Sequence, residues 1–142
     1  MEIIKVTKRH LDSVYLLICE LEDTNIDKAE FKEIFNNNLG NKNVYYFIAK
    51  NKTEIVGFVS IHINKLLHHT ANIAEIQELI VTKRCRGKSI GKMLLEKAKE
   101  VAIENDCMQF EVCCNMTRTL SHEFYEKQGL IKSHYKFTLP LK

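Results

Sequence analysis

The chain reads as one α/β (α+β) domain built on a mixed central sheet, and three observations predict that class. A hydrophobic strand, Ile73 to Val81, runs straight into a basic, glycine-bearing turn, Thr82-Lys83-Arg84-Cys85-Arg86-Gly87-Lys88-Ser89, which opens an amphipathic helix. Segments with strand alternation and segments with helical spacing interleave from end to end in the order βααβββαβαβ. The 142 residues are 45% hydrophobic, enough for one core, and no proline-rich, glycine-rich or low-complexity stretch divides residues 1–142.

Each element has its own signal. Residues 2 to 7 alternate as a strand, and Leu11, Val14, Tyr15, Ile18 and Leu21 then recur at helical spacing up to Glu22-Asp23. A second helix is predicted from Asp27 to Leu39, with Asp27 and Glu30 forming a capping box and Gly40 marking the stop. Strands Val44 to Asn51 and Glu54 to Asn64 flank the short polar turn Lys52-Thr53 and read as a hairpin. The strand Asn72 to Val81 follows. After the turn, Ile90, Met93, Leu94, Ala98, Val101 and Ala102 share one helix face. A strand over Met108 to Cys114, a helix over Thr119 to Gln128 ending at Gly129, and a closing strand from Leu130 to Leu139 complete the order.

Composition removes several classes. No apolar run is long enough to span a bilayer and the N-terminus lacks a signal-peptide layout, so a cytoplasmic protein with no membrane partner is expected. Five cysteines, with no C-x-x-C pair, suit reduced thiols better than disulfides or zinc. A net charge of +3, scattered along the chain, gives no reason to expect nucleic acid.

The basic turn is an anion site by construction, because the first N–H groups of a helix have no intrahelical partner and lie at the positive end of its dipole. It is neither of the common nucleotide loops. Gly87-Lys88-Ser89 copies the end of a triphosphate P-loop, but Thr82 stands where that loop needs another glycine. A dinucleotide fingerprint counted from Gly87 meets Ser89 and Lys92 where it requires glycines. Arg84, Gly87 and Ser89 instead resemble the acyl-CoA loop of the GCN5-related N-acetyltransferases, the GNAT superfamily, whose pattern is Gln or Arg, two residues, Gly, one residue, Gly or Ala. The order of elements also resembles that superfamily over nearly the whole chain. The resemblance implies acetyl-CoA as cosubstrate in a cleft where two central strands splay. The amides of Arg86, Gly87, Lys88, Ser89, Ile90, Gly91 and Lys92 would hold its pyrophosphate. The backbone of Leu79 and Val81 would pair with its pantetheine arm, and an N–H near Leu79 or Ile80 would polarise the thioester carbonyl.

A central strand avoids charge, yet Ile73-Ala74-Glu75-Ile76-Gln77-Glu78-Leu79-Ile80-Val81 carries two glutamates. Alternation predicts Glu75, Gln77, Leu79 and Val81 on one face and Ile76, Glu78 and Ile80 on the other. An amine with a pKa near ~10 must lose a proton to attack a thioester, so a carboxylate beside the acyl group is what the reaction needs. The resemblance favours Glu75 as base, with Glu78 in reserve; the plainer reading makes one or both partners of surface cations. Phe124-Tyr125-Glu126-Lys127-Gln128-Gly129 resembles the GNAT segment whose tyrosine is the general acid, which implies that role for Tyr125. Asn115, Ser121 and Phe124 would line the pantetheine cleft. The competing chemistry is a covalent route through Cys113 or Cys114.

For the acceptor, Val14 to Glu22, His68-His69, Glu75 to Leu79 and Ser133 to Thr138 together resemble the aminoalkylphosphonate N-acetyltransferases of bacterial phosphonate pathways. That implies a small, anionic amine, with cationic groups to receive it drawn from His62, Lys65, His68, His69, Arg118, His134 and Lys136. The group has been regarded as metal-assisted, which raises a divalent ion near His68, His69 and Glu75 or Glu78, although adjacent histidines on extended backbone point to opposite sides. No metal ligand is assigned. The alternatives are another acceptor, such as a polyamine, a protein N-terminus or an antibiotic amine, and an idle acyl-CoA-binding regulatory domain. The sequence does not fix the oligomeric state; the resemblance implies that a homodimer is possible, with the closing strand Tyr135 to Leu139 available to pair across its interface.

Overall fold

The computed structural model describes residues 1–142 and orders them as β1 (Glu2–Lys5), α1 (Leu11–Glu22), α2 (Lys28–Leu39), β2 (Val44–Asn51), β3 (Glu54–Leu66), β4 (Ala71–Val81), α3 (Ile90–Glu104), β5 (Cys107–Val112) and α4 (Thr119–Lys127). Short 3₁₀ turns precede α1 at Lys8–His10 and follow β4 at Lys83–Cys85. The strands form one sheet in the order β1-β2-β3-β4-β5. Neighbours are antiparallel except β4 and β5, which run parallel because α3 crosses between them.

The sheet is covered on both faces. On one, Leu94, Leu95, Ala98, Val101 and Ala102 of α3 pack on Val56, Val59, Ile61, Ile63, Ala74 and Ile76. On the other, Val14 and Leu17 of α1 and Phe35 of α2 close over Ile48, Phe58 and Ile80. A sheet buried on both faces accounts for the nearly continuous apolar reading of β2 and β3, where a one-sided strand would alternate. The predicted N-cap is present in half: the Asp27 side chain accepts from the Glu30 N–H at 2.9 Å, and no return bond from Glu30 forms.

Two expectations are corrected. Leu130 to Leu139 is not a strand. The segment is extended in sequence pattern, yet no backbone hydrogen bond involves residues 131–142, and Tyr135, Phe137 and Leu139 are each more than four-fifths exposed. Alternation says what a segment does against a neighbour, and here no neighbouring strand lies alongside.

The second correction concerns the two glutamates. In the β3–β4 ladder Ser60 faces Glu78 and Ile61 faces Ile76, so Gln77 has no opposite number and forms a β-bulge. One extra residue reverses the alternation beyond it. Glu75 lies opposite His62 and Glu78 opposite Ser60, and His62 and Ser60 share the face opposite Ile61. Glu75 and Glu78 therefore share a face, while Leu79 and Val81 turn with Ile76 to the α3 side.

Candidate active site

The parallel β4–β5 ladder ends at Ile76 and Val112, but β4 continues to Val81. Beyond Ile76 the two strands part, and the β5-facing side of β4 is open. Thr82 donates to the Val56 carbonyl at 2.8 Å and the Glu78 N–H donates to Ser60 Oγ at 2.9 Å, so the even-numbered amides point at β3. By alternation the N–H and C=O groups of Leu79 and Val81 point into the gap. The Leu79 groups are unpaired there. The Val81 carbonyl accepts from Arg86 Nε at 2.9 Å, a contact the sequence did not indicate.

The loop after β4 leaves a run of backbone amides free. From Gly87 to Lys92 no backbone N–H donates to any protein group; the first helical bond is Met93 N–H to the Ser89 carbonyl at 3.1 Å. Gly87 has φ +78° and Ser89 φ +64°, so the chain winds left-handed twice before α3 begins. Free amides, the positive end of a fifteen-residue helix and the exposed Lys88 and Lys92 converge on one spot. Phe124 stands over the start of that helix: a Cβ on Gly91 would meet its ring at 3.5 Å. Ile90 is buried and contributes its amide alone.

Arg84, first residue of the loop motif, points elsewhere. Its guanidinium pairs with both Glu54 carboxylate oxygens in the β2–β3 hairpin, one of them at 3.2 Å. The Glu54 carboxylate also holds the Arg84 pKa above its ordinary value. The motif position is thus filled by a side chain that braces the turn against the sheet.

Glu75 sits midway along β4, and Glu78 lies three residues nearer the loop. Six strand residues, about 20 Å, separate Glu75 from Val81. Glu75 accepts from Gln77 Nε2 at 2.5 Å and from the Cys113 thiol at 3.7 Å, and Glu111 lies beside it across the parallel ladder. The Ser60 hydroxyl donates to the Glu78 carboxylate, and Ser60 is fully buried. Sequence reasoning missed Ser60 and Glu111. A lone hydroxyl inside the apolar run Phe58 to Ile63 was the available signal for the first, and only the strand register reveals the second.

On the α3 side, α4 presents Ser121, Phe124 and Tyr125, with Ser121 one helical turn before Tyr125. Phe124 and Tyr125 pack edge to face with centroids 5.3 Å apart against the core under α3. Burial, helped by the Cys114 thiol, pushes the Tyr125 hydroxyl up to about 12, with Arg118 opposing. Burial raises the Cys113 and Cys114 thiols as well, and Glu75 adds to the first. A raised thiol is a poor nucleophile at neutral pH, which counts against the covalent route. Asn115 uses its side-chain oxygen on the Thr117 N–H and hydroxyl at 2.9 and 2.8 Å, and its carbonyl lies 2.8 Å from His122 Nε2. It shapes the turn between β5 and α4.

Three predicted substrate residues lie apart from this centre. His68 and His69 occupy the tip of the β3–β4 hairpin, their rings 4.3 Å apart, and Glu75 is about 13 Å further along the strand than Ala71. His134 is in the exposed tail, where its Nδ1 meets the Ser133 hydroxyl at 2.7 Å. No group of three or more His, Cys, Asp or Glu side chains has an arrangement that could hold a metal ion, so the donor set does not fit the divalent ion considered above. No helix is long and apolar enough to cross a membrane.

A gap between diverging parallel strands, a loop of free amides at one end and a carboxylate at the other define an acyl-CoA-dependent transferase. The profile of the Acetyltransferase (GNAT) family matches residues 11–130, and the chain belongs to that family, as an N-acetyltransferase using acetyl-CoA as cosubstrate. It is 40% identical over 140 residues, 99% of this chain and 91% of the other, to the aminoalkylphosphonate N-acetyltransferase of Salmonella typhimurium. It is 30% identical over 108 residues, 73% of this chain and 70% of the other, to the glucosamine 6-phosphate N-acetyltransferase of Candida albicans. The structure of AAC(6')-Iy in complex with the bisubstrate analog CoA-S-monomethyl-acetylneamine superposes with a TM-score of 0.88 at 16% identity, covering 99% of this chain and 97% of that one.

Proposed function

We propose that this N-acetyltransferase acts on a small primary amine that also bears a phosphonate, with Glu75 as base and Tyr125 as acid. The acceptor reading is carried by the 40% identity, over 99% of the chain, to a protein named for aminoalkylphosphonates. Local charge agrees with a zwitterionic acceptor. Glu75 and Glu111 suit an ammonium group, while His62 opposite Glu75, and Lys136, close enough for its charge to act on Cys113, suit an anion.

Acetyl-CoA lies along the open side of β4. The Gly87 to Lys92 amides take its pyrophosphate, with Lys88 and Lys92 adding charge, and Leu79 pairs with the pantetheine arm as an added strand would. Val81 joins that pairing once Arg86 releases its carbonyl. An N–H of the Leu79–Ile80 stretch polarises the thioester carbonyl. Ser121, Phe124 and Asn115 wall the arm.

The transfer is direct. Glu75 takes a proton from the acceptor ammonium, the freed nitrogen forms a bond to the thioester carbon, and the C–S bond breaks as the tetrahedral adduct collapses. Tyr125 gives its proton to the departing sulfur and is reprotonated from solvent, and Glu75 returns its proton there. Glu75 is preferred to Glu78 because it stands one rung before the β4–β5 ladder ends at Ile76 and Val112, whereas Ser60 occupies the Glu78 carboxylate. Burial keeps the Tyr125 proton in place at neutral pH, and the same dry surroundings raise the basicity of the thiolate it protonates.

The test is coenzyme A release with aminomethylphosphonate, aminoethylphosphonate, glucosamine 6-phosphate, spermidine and an N-terminal peptide, each with and without EDTA. Turnover of the phosphonates well above the rest is expected. Preference for spermidine or the peptide overturns the acceptor assignment and leaves the family standing.

A further inference from the structure

On the side of the sheet away from the β4–β5 gap, where β1 leaves and β2 enters, the end of α2 closes over a cavity of about 490 Å³. It lies on β1 and β2, and β2 is two strand spacings, about 10 Å, from β4. None of its lining residues belongs to the acetyl-CoA gap. Lys5, Lys8 and Lys42 line it, no Asp or Glu does, and none of the three ammonium groups forms an ion pair. The positive field reaches past the rim. His10, whose Nδ1 accepts the N–H of the lining residue Thr7 at 2.9 Å, is held below its ordinary pKa first by burial and then by the charges of Arg9 and Lys50.

Donors without acceptors complete the lining. The Lys42 N–H bonds to no protein group, whereas the amides on either side of it are used: Asn41 donates to the Asn38 carbonyl at 3.1 Å and Asn43 to the Asn41 side chain at 2.9 Å. Tyr46 is 9% exposed, and its hydroxyl accepts from Asn38 Nδ2 at 2.6 Å, which leaves the phenolic proton with no protein acceptor. A nearly buried O–H in that state costs free energy until an acceptor reaches it. The C-terminal dipole of α2 opposes an anion here with roughly half a charge, which three lysines outweigh. Leu39, Val44 and Tyr45 add apolar wall, and a cavity of this size holds more than a bare phosphate, so the lining suits phosphate carried on a small organic body.

We propose that this cavity is a second anion site, which binds a small organic molecule carrying phosphate groups: Lys5, Lys8 and Lys42 surround the phosphates, and the Lys42 N–H and the Tyr46 hydroxyl supply donors to their oxygens. The site is separate from acetyl transfer. It requires neither acetyl-CoA nor the amine, and it stands whatever the acceptor proves to be.

The test is amide NMR of the isotopically labelled chain, with coenzyme A in excess so that the acyl-CoA site is already filled. Fructose 1,6-bisphosphate is expected to shift the Asn41, Lys42 and Tyr46 amides along a saturable curve, and fructose to leave them in place. Inorganic phosphate, which cannot use the apolar wall, is expected to need a concentration about tenfold higher or more. Lys8→Glu with Lys42→Glu, both exposed positions, is expected to weaken bisphosphate binding about tenfold or more while the Kd for coenzyme A stays unchanged. No saturable shift at Lys42, shifts confined to Gly87 to Lys92, or a curve unaltered in the double variant each overturn the site, and equal affinity for inorganic phosphate overturns the organic body. No acceptor enters these measurements, so failure here is distinguishable from failure of the phosphonate assignment.

Discussion

Ser60 and Glu78 are bound to each other twice: the buried Ser60 hydroxyl donates to the Glu78 carboxylate and accepts the Glu78 backbone N–H at 2.9 Å. The pair sits next to the bulge at Gln77, where the β3–β4 register slips. Its hydroxyl accepts an amide in the place where a regular ladder would supply a carbonyl, and it holds the Glu78 carboxylate in place.

Ser60→Ala removes both bonds and leaves a partly buried carboxylate without a donor. A stability loss of about 1–3 kcal/mol is expected, read from denaturant unfolding. Coenzyme A release should stay within about threefold of wild type if Glu75 is the base. A rate collapse in a folded protein reassigns the base to Glu78.

Tyr125→Phe keeps the packing on Phe124 and deletes the proton. A fall of about 10²–10⁴ in kcat is expected with little change in melting temperature. The sign of the pH dependence follows from the raised pKa: the acid form is favoured, so the proton stays on through neutral pH and is lost only as pH approaches about 12. Wild-type kcat should therefore show no alkaline fall owed to Tyr125 between about pH 7 and 10. A fall in that window that vanishes in Tyr125→Phe contradicts the assignment.

Ser89 takes a left-handed conformation at φ +64° and its hydroxyl caps nothing. Ser89→Gly relieves that strain without removing a bond, and a gain of about 1 kcal/mol, seen as a melting temperature higher by roughly 3 °C, is expected. The KM for acetyl-CoA should not rise, since the loop amides keep their path.

Arg84 is spent on Glu54. Arg84→Ala should leave the KM for acetyl-CoA within about threefold, whereas Gly87→Ala, which forces a Cβ onto φ +78°, should raise it about tenfold or more. The reverse order would return Arg84 to direct phosphate contact.

Local pattern carried most of the fold. Helices α1 to α4 and strands β1 to β5 lie where periodicity and punctuation by Asp27, Gly40, Lys52-Thr53 and Gly129 place them, within a few residues. The glycine-bearing turn into α3 was legible because its geometry is local, three or four residues of turn feeding one helix. Two things were not legible. A bulge depends on how β3 and β4 slip past each other, so simple alternation sent Glu75 and Glu78 to opposite faces. The tail has a strand's alternation, but whether it pairs depends on what lies beside it, and within this chain it forms no backbone ladder. The aim of Arg84, the closeness of Glu111 to Glu75 and the Ser60–Glu78 pair are likewise matters of register between distant segments.

The central claim is that a carboxylate on β4 deprotonates the acceptor at one end of the cleft while acetyl-CoA is held from the other. Its most direct test is coenzyme A release by Glu75→Gln against wild type, with saturating acetyl-CoA and aminomethylphosphonate, from pH 7 to about 10. The account predicts a loss of about 10²–10³ at pH 7 that shrinks steadily as pH nears about 10, where the amine supplies its own free base. A variant that matches wild type at pH 7, or one whose deficit is the same at every pH, contradicts it.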